Sequence, residues 1–152
     1  MDERQVRLIQ QKLMNMDSYI EELGPYLESS LGEYLEKPGQ RRIVERLAQV
    51  IIESAIDANN LLIVASGGVP ASTARESFAS VHRLGVIDDY LLSRFRETYV
   101  GLRNRIVHDY DVLDNRMIYF TARRLMEDAR KYVGSVYHYL SSAGGGQDKA
   151  IQ

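Results

Sequence analysis

The sequence predicts an all-α helical bundle. Apolar residues recur at alternating three- and four-residue steps, only Pro25, Pro38 and Pro70 punctuate 152 residues, and no stretch requires a strand. Val6, Ile9, Leu13, Met16 and Ile20 form the first seam, which Gly24-Pro25 is expected to end. A short helix through Tyr26, Leu27, Leu31 and Tyr34 follows. Beyond Lys37-Pro38-Gly39, Val44, Leu47, Ile51, Ala55, Ala58, Leu62 and Ala65 give the most apolar helix, broken at Gly67-Gly68-Val69-Pro70.

Pro70 suits the first turn of a short helix through Phe78 and Val81, which stops at Leu84-Gly85. Another helix opens near Asp88-Asp89 with the seam Leu92, Phe95, Tyr99, Leu102 and Ile106 and ends around His108 to Asp111. The last helix, capped by Asp114, runs through Ile118, Ala122, Leu125, Ala129, Tyr132 and Val136 towards Leu140. Residues 1–140 are thus expected to form one domain, four long helices plus short crossover helices, and 141–152, with three consecutive glycines, a disordered tail.

Composition narrows function less than fold. Nineteen Lys and Arg against 21 Asp and Glu leave a net charge of −2, so no global basic field draws in nucleic acid and any such surface must be local. The absence of cysteine removes thiolate metal sites and a cysteine nucleophile, and suits a reducing cytoplasm. The longest apolar run, Leu61 to Ala65, is far short of the roughly 20 residues that span a bilayer, and Met1 precedes Asp2 and Glu3 rather than a basic and apolar leader. No membrane partner is expected. No histidine and carboxylate grouping has a zinc-like spacing, so neither a metal nor another cofactor is expected.

Chemistry concentrates in Gly101-Leu102-Arg103-Asn104-Arg105-Ile106-Val107-His108-Asp109-Tyr110. At 100° per residue, Asn104 and His108 share a stripe nearly opposite the Tyr99, Leu102 and Ile106 seam. That stripe reads Glu97, Gly101, Asn104, His108, flanked by Val100 and Val107, whereas a solvated face normally carries Lys and Glu. A second copy of the chain, packed about a two-fold axis, would cover it and bring two histidines into one cleft. Arg103 and His108 are five apart, about 140° around an ideal helix, so spacing alone does not make them a dyad. Their chemistry suits a phosphodiester: a guanidinium holds phosphate oxygens and imidazole titrates near neutral pH. Taken alone, the same residues also read as a cationic cap on a helix C-terminus.

Ile51 to Asn60, then Glu76-Ser77-Phe78, Leu84-Gly85-Val86-Ile87 and Gly101 to Tyr110, in this order and spacing, resemble the HepT toxins of the HEPN superfamily over roughly residues 5–140. The resemblance implies a homodimer whose Arg-x4-His motifs face each other and a metal-independent endoribonuclease. It also implies a partner, a minimal nucleotidyltransferase antitoxin of the MntA kind that transfers AMP to the motif tyrosine, here Tyr110. On this basis Arg103 would hold the scissile phosphate, His108 would serve as general acid or base, and Asn104 would orient histidine or substrate.

Asp57, an acid within the apolar third helix, would pair with the active-site helix unless it is simply exposed. Arg105, Gln40-Arg41-Arg42 and Arg123-Arg124 read as solvated flanks, and His82 and His138 as surface or packing residues. Two other readings remain: a non-catalytic HEPN module that binds a nucleotide or a nucleotidyltransferase through the same cleft, and a plain assembly bundle. The last gives no reason for Asn104 and His108 on a covered face.

Overall fold

Helix starts are set by side chains that answer the free N–H groups of the first turn. In the computed structural model, which describes the backbone of residues 1–108 and 113–151 and side chains as far as residue 143, α1 spans Glu3–Leu27. Asp2 accepts from the Gln5 amide at 2.8 Å while Gln5 accepts from the Asp2 amide at 3.0 Å, a reciprocal capping box. Ser30 caps α2 (Leu31–Glu36), Thr73 caps α4 (Ala74–Arg83) and Asp88 caps α5 (Asp89–Arg94). α3 (Pro38–Ala65) instead opens on a proline, whose missing N–H costs nothing there. A π-helical turn, Phe95–Tyr99, joins α5 to α6 (Val100–His108), and Asp114 caps α7 (Asn115–Ile151) through the Arg116 and Met117 amides.

The stops of α3 and α4 use glycine. Gly67 and Gly85 adopt φ of +90° and +83°, and the Gly68 amide bonds back to Ile63 at 2.9 Å as the Val86 amide does to Val81 at 3.0 Å. A Cβ at either positive φ would be strained, so both breaks depend on glycine.

α3 is the central post, packed against α1, α4, α6 and α7. It is long and apolar enough to cross a membrane, with mean hydropathy 1.4 over an 18-residue window, but 56% of that window is buried in the bundle. Four neighbouring helices therefore already cover its apolar surface. The described residues hold no strand. The seam predicted for α7 is buried throughout, from Ile118 to Leu140.

Several boundaries differ from the sequence expectation. Pro25 lies inside α1 rather than ending it. Leu23 and Leu27 are both buried, and Gly24 lets α7 approach so closely that a Cβ would sit 3.4 Å from the Met126 Cε. Packing of that last turn outweighs the one backbone bond proline forfeits. Tyr26 and Leu27 consequently belong to α1. Pro70 is not in the first turn of α4, because Thr73 supplies the cap three residues later. α7 runs on to Ile151, past the point at which ordered structure was expected to end; side chains from 144 onward lie outside the described residues, and Leu140 is the last core side chain.

A buried polar chain crosses the core. Tyr132 donates to the Asn59 Oδ1 at 2.6 Å, and the Asn59 amide donates to the Ser77 Oγ at 3.1 Å, which ties α7, α3 and α4 together. Replacing Asn59 by alanine removes one of two partners from each hydroxyl, leaving Tyr132 on the Ala55 carbonyl and Ser77 on the Ala74 carbonyl, and is expected to cost about 1–2 kcal/mol, read as a lowered midpoint in urea with an unchanged slope.

Phenols dominate the deepest positions, with Tyr34, Tyr99 and Tyr132 fully buried. Burial is the first cause raising the pKa of each, to about 12 for Tyr34, whose hydroxyl has no partner among the described residues. Because the folded values lie above the unfolded one near 10, stability should hold below pH 10. Above it, stability should fall as the unfolded chain releases protons that the folded chain keeps. Denaturation curves between pH 8 and 11.5 test this; a flat profile would count against it.

Candidate active site

The site helix α6 inherits its orientation from the turn before it. In the Phe95–Tyr99 segment the Val100 amide reaches the Phe95 carbonyl, an i to i+5 bond that inserts one extra residue. Three donors then pin this turn to α7. The buried carboxylate of Asp128, 2% exposed, accepts from the Tyr90 hydroxyl at 2.9 Å, from the Tyr99 hydroxyl and from the Arg94 Nε at 3.2 Å. Arg94 also reaches the Tyr99 oxygen at 3.3 Å, and its guanidinium lies 5.4 Å from that ring's centroid. Below the turn, Phe95 stacks on Phe78 at 4.6 Å and meets Tyr132 at 5.6 Å.

The inserted residue shifts the seam. Leu91 is buried whereas Leu92, expected in the core, is half-buried; Phe95, Tyr99, Leu102 and Ile106 are buried as expected. Val100, expected on the outward flank, is 1% exposed and packs inward for the same reason. Glu97 and His108 are exposed, and Gly101, Asn104 and Val107 are half-buried, so the outward stripe exists as a face of the single chain.

Arg103 is half-buried, and its Nε is shielded from water with no hydrogen-bond partner among the described residues. Arg105 is exposed, in keeping with a solvated flank. Arg103 and His108 are not hydrogen-bonded to each other. Tyr110, the expected modification site, and Asp109 beside it lie outside the described residues.

Asp57 does not bond to the active-site helix. Its carboxylate is 56% exposed and meets the Lys12 Nζ of α1 at 3.2 Å, because its position on α3 faces α1 rather than α6. The buried acid of this fold is Asp128, which the sequence reading did not single out. The signal was present: Leu125, Asp128 and Tyr132 follow the three- and four-residue steps of the α7 seam, which places a carboxylate on the core face. His82 pairs with Asp89 at 2.7 Å on the surface, and His138 lines a shallow groove with Lys131 and Ser135. Arg123, exposed, donates to the Tyr119 hydroxyl one turn back on α7 at 2.7 Å, and Arg41 donates to the Leu35 carbonyl at the end of α2.

A family profile described as "Ribonuclease HepT-like" matches residues 16–136. The chain belongs to the HepT-like family. A curated HepT-like relative, the tRNA nuclease HepT of Aphanizomenon flos-aquae (strain 2012/KM1/D3), is 28% identical over 133 residues, covering 88% of this chain and 90% of its own. Among solved structures, the tri-AMPylated Shewanella oneidensis HEPN toxin in complex with MNT antitoxin superposes with a TM-score of 0.79 at 21% identity, over 91% of this chain and 99% of that one. A cytosolic protein of unknown function from Bacillus subtilis, YutE, matches with a TM-score of 0.72 at 12% identity, over 88% and 92%. Both share the HepT-like helical fold of this chain.

An Asp128→Asn variant keeps the shape but withdraws the charge that Arg94 and the two phenols answer. Hydrogen bonds to charged groups contribute about 1.5–3 kcal/mol, so a stability loss of about 2–3 kcal/mol is expected by chemical denaturation. Asp57→Asn, at an exposed pair, should change stability by less than about 1 kcal/mol.

Proposed function

We propose that this HepT-like protein is the toxin of a toxin-antitoxin pair and a metal-independent endoribonuclease, acting as a homodimer. The observation that carries the reading is the Arg103 guanidinium. It is permanently charged, its shielded Nε lacks a described partner, and it lies on the helix that presents Asn104 and His108 on its outward face. The terminal nitrogens of the same half-buried guanidinium, which bond to no described residue, would meet an anion supplied from outside. The curated relative's name as a tRNA nuclease supports RNA as the source of the anion.

In the proposed reaction the 2′-oxygen of RNA attacks the adjacent phosphorus and loses its proton to a base. The bond from phosphorus to the 5′-oxygen breaks, and that oxygen takes a proton from an acid. Arg103 holds the non-bridging oxygens as charge develops. One His108 cannot easily serve as both base and acid in a single step, so the dimer supplies the second. The half-buried Asn104 and Val107, on a stripe poor in Lys and Glu, support a second copy as its cover.

Neutralisation would come from a nucleotidyltransferase antitoxin that transfers AMP to Tyr110, adding charge and bulk beside the cationic residues. The solved complexes support this reading, one a tri-AMPylated HEPN toxin with its MNT antitoxin and the other a toxin-antitoxin with AMP-PNP.

Incubation of the purified chain with tRNA in EDTA should give cleavage that Arg103→Ala and His108→Ala lower by about 100-fold or more, with circular dichroism unchanged. A fully active His108→Ala chain, or an inactive parent dimer, would overturn the reading. Weakened complex formation with the nucleotidyltransferase in Arg103→Ala, with no RNA cleavage by either form, would instead establish the non-catalytic module. Co-expression with the antitoxin should add AMP to the parent and not to Tyr110→Phe.

A further inference from the structure

Arg75, in the first turn of α4, has no role in the sequence motif, yet its side chain reaches the face that carries it. The Arg75 Nε donates to the Arg96 carbonyl at 3.2 Å, crossing from α4 to the π turn. Its terminal nitrogen lies 3.9 Å from where a Cβ on Gly101 would stand. Gly101 precedes Asn104 and His108 on the outward stripe by one and two turns, so the guanidinium overlies the bare end of that stripe. The anchoring bond fixes the group's direction and leaves both terminal nitrogens for other partners.

No carboxylate lies within 4.0 Å of Arg75 among the described residues, although acids are close by. A groove of about 710 Å³ beside it is lined by Arg75, Arg96, Leu92, Ser93 and two acids. Neither acid pairs with Arg75: Glu97 accepts from the Ser93 hydroxyl at 3.2 Å and Asp89 bonds to His82 at 2.7 Å. Arg75 thus combines a fixed orientation, a guanidinium in direct contact with no described carboxylate, and access to the stripe. Arg83 and Arg7, by contrast, each meet a carboxylate, Glu76 and Glu3.

We infer that Arg75 is an RNA-binding residue that holds a backbone phosphate flanking the scissile one. The inference rests on the proposed nuclease reading. Seven residues separate Gly101 from His108, a rise of about 10 Å. That separation exceeds any hydrogen-bond reach, so the phosphate at Arg75 differs from the one at His108. Gly101 is what admits it, since a long side chain there would fill the space the guanidinium overlies. A phosphate contact of this kind adds affinity without base preference.

The test measures binding of a labelled single-stranded RNA by fluorescence anisotropy against salt, in a His108→Ala background so that the probe survives. Adding Arg75→Gln should weaken binding several-fold and reduce the slope of log affinity against log salt by about 0.7, the value for one contact on a single strand. Arg75→Lys, which keeps the charge and loses the planar anchor, should retain most of the slope. In the His108 parent, Arg75→Gln should raise KM and leave kcat within about twofold.

An unchanged slope with a lowered Tm would overturn the inference and leave Arg75 as a tether between α4 and the π turn. Dissociation of the dimer by Arg75→Glu in sedimentation would overturn it in favour of a subunit contact. If the parent chain neither binds nor cleaves RNA, the nuclease reading fails first and this inference with it.

Discussion

The carboxylate of Asp128 is the joint on which the candidate site hangs. Removing a carboxylate from water costs several kcal/mol, so it is retained only where donors surround it. Here two phenols and a guanidinium do so at once. Arg94 and Tyr99 are five apart, and in an α-helix they would point about 140° away from each other. The i to i+5 turn brings them onto one side, where the guanidinium lies over the ring and both reach the same acid. The acid and the π turn therefore require each other: without the turn the donors diverge, and without the acid nothing offsets the poorer geometry of that turn.

The consequence for α6 is rotational. One inserted residue changes which side chains of the following helix face inward, and this chain satisfies both sides of the change. Leu91, Phe95, Tyr99, Leu102 and Ile106 stay in the core by steps of four, four, three and four, while Glu97, Gly101, Asn104 and His108 stay out. The stacked Phe78 and Phe95 hold the turn from below, so α4 is coupled to α6 through aromatic contact as well as through Arg75. A site built on a helix whose rotation is set by a buried acid is preorganised by packing, independently of any bound partner.

Much of the architecture was legible because amphipathic periodicity is a direct record of which face meets the core. The seams of α1, α3 and α7 needed nothing else, and the Asp88 and Asp114 starts follow from cap chemistry. Expectations failed where a long-range contact decides the local outcome. Pro25 reads as a stop until the close approach of α7 at Gly24 is known. Asp57 reads as a buried acid because α3 is so apolar, but one side of α3 is lined by α1, whose Lys12 is long enough to meet the carboxylate at the surface. Periodicity could not reveal the π turn, since an inserted residue moves Val100 into the core without leaving a composition signal. The motif itself was visible, yet what α4 brings to it in Arg75 was not, because the 25 positions between Arg75 and Gly101 carry no pattern that pairs them.

The arginines divide by whether the chain answers their charge. Arg94 is answered by Asp128 and Tyr99, Arg83 by Glu76, Arg41 by a carbonyl at the end of α2. These groups hold the bundle together and leave nothing for a ligand. Arg103 is different in kind, with a shielded Nε unanswered among the described residues. The other orphaned polar atom, the Tyr34 hydroxyl, is neutral and sealed in the core, where no ligand reaches it and its cost is a modest desolvation. A charged donor left unanswered is far more expensive, and α6 is short, with an exposed histidine at its end rather than a core to excuse the loss. In a chain with net charge −2 there was no shortage of carboxylates to place opposite it. On the reading proposed above, that position is kept for an anion that arrives with the substrate.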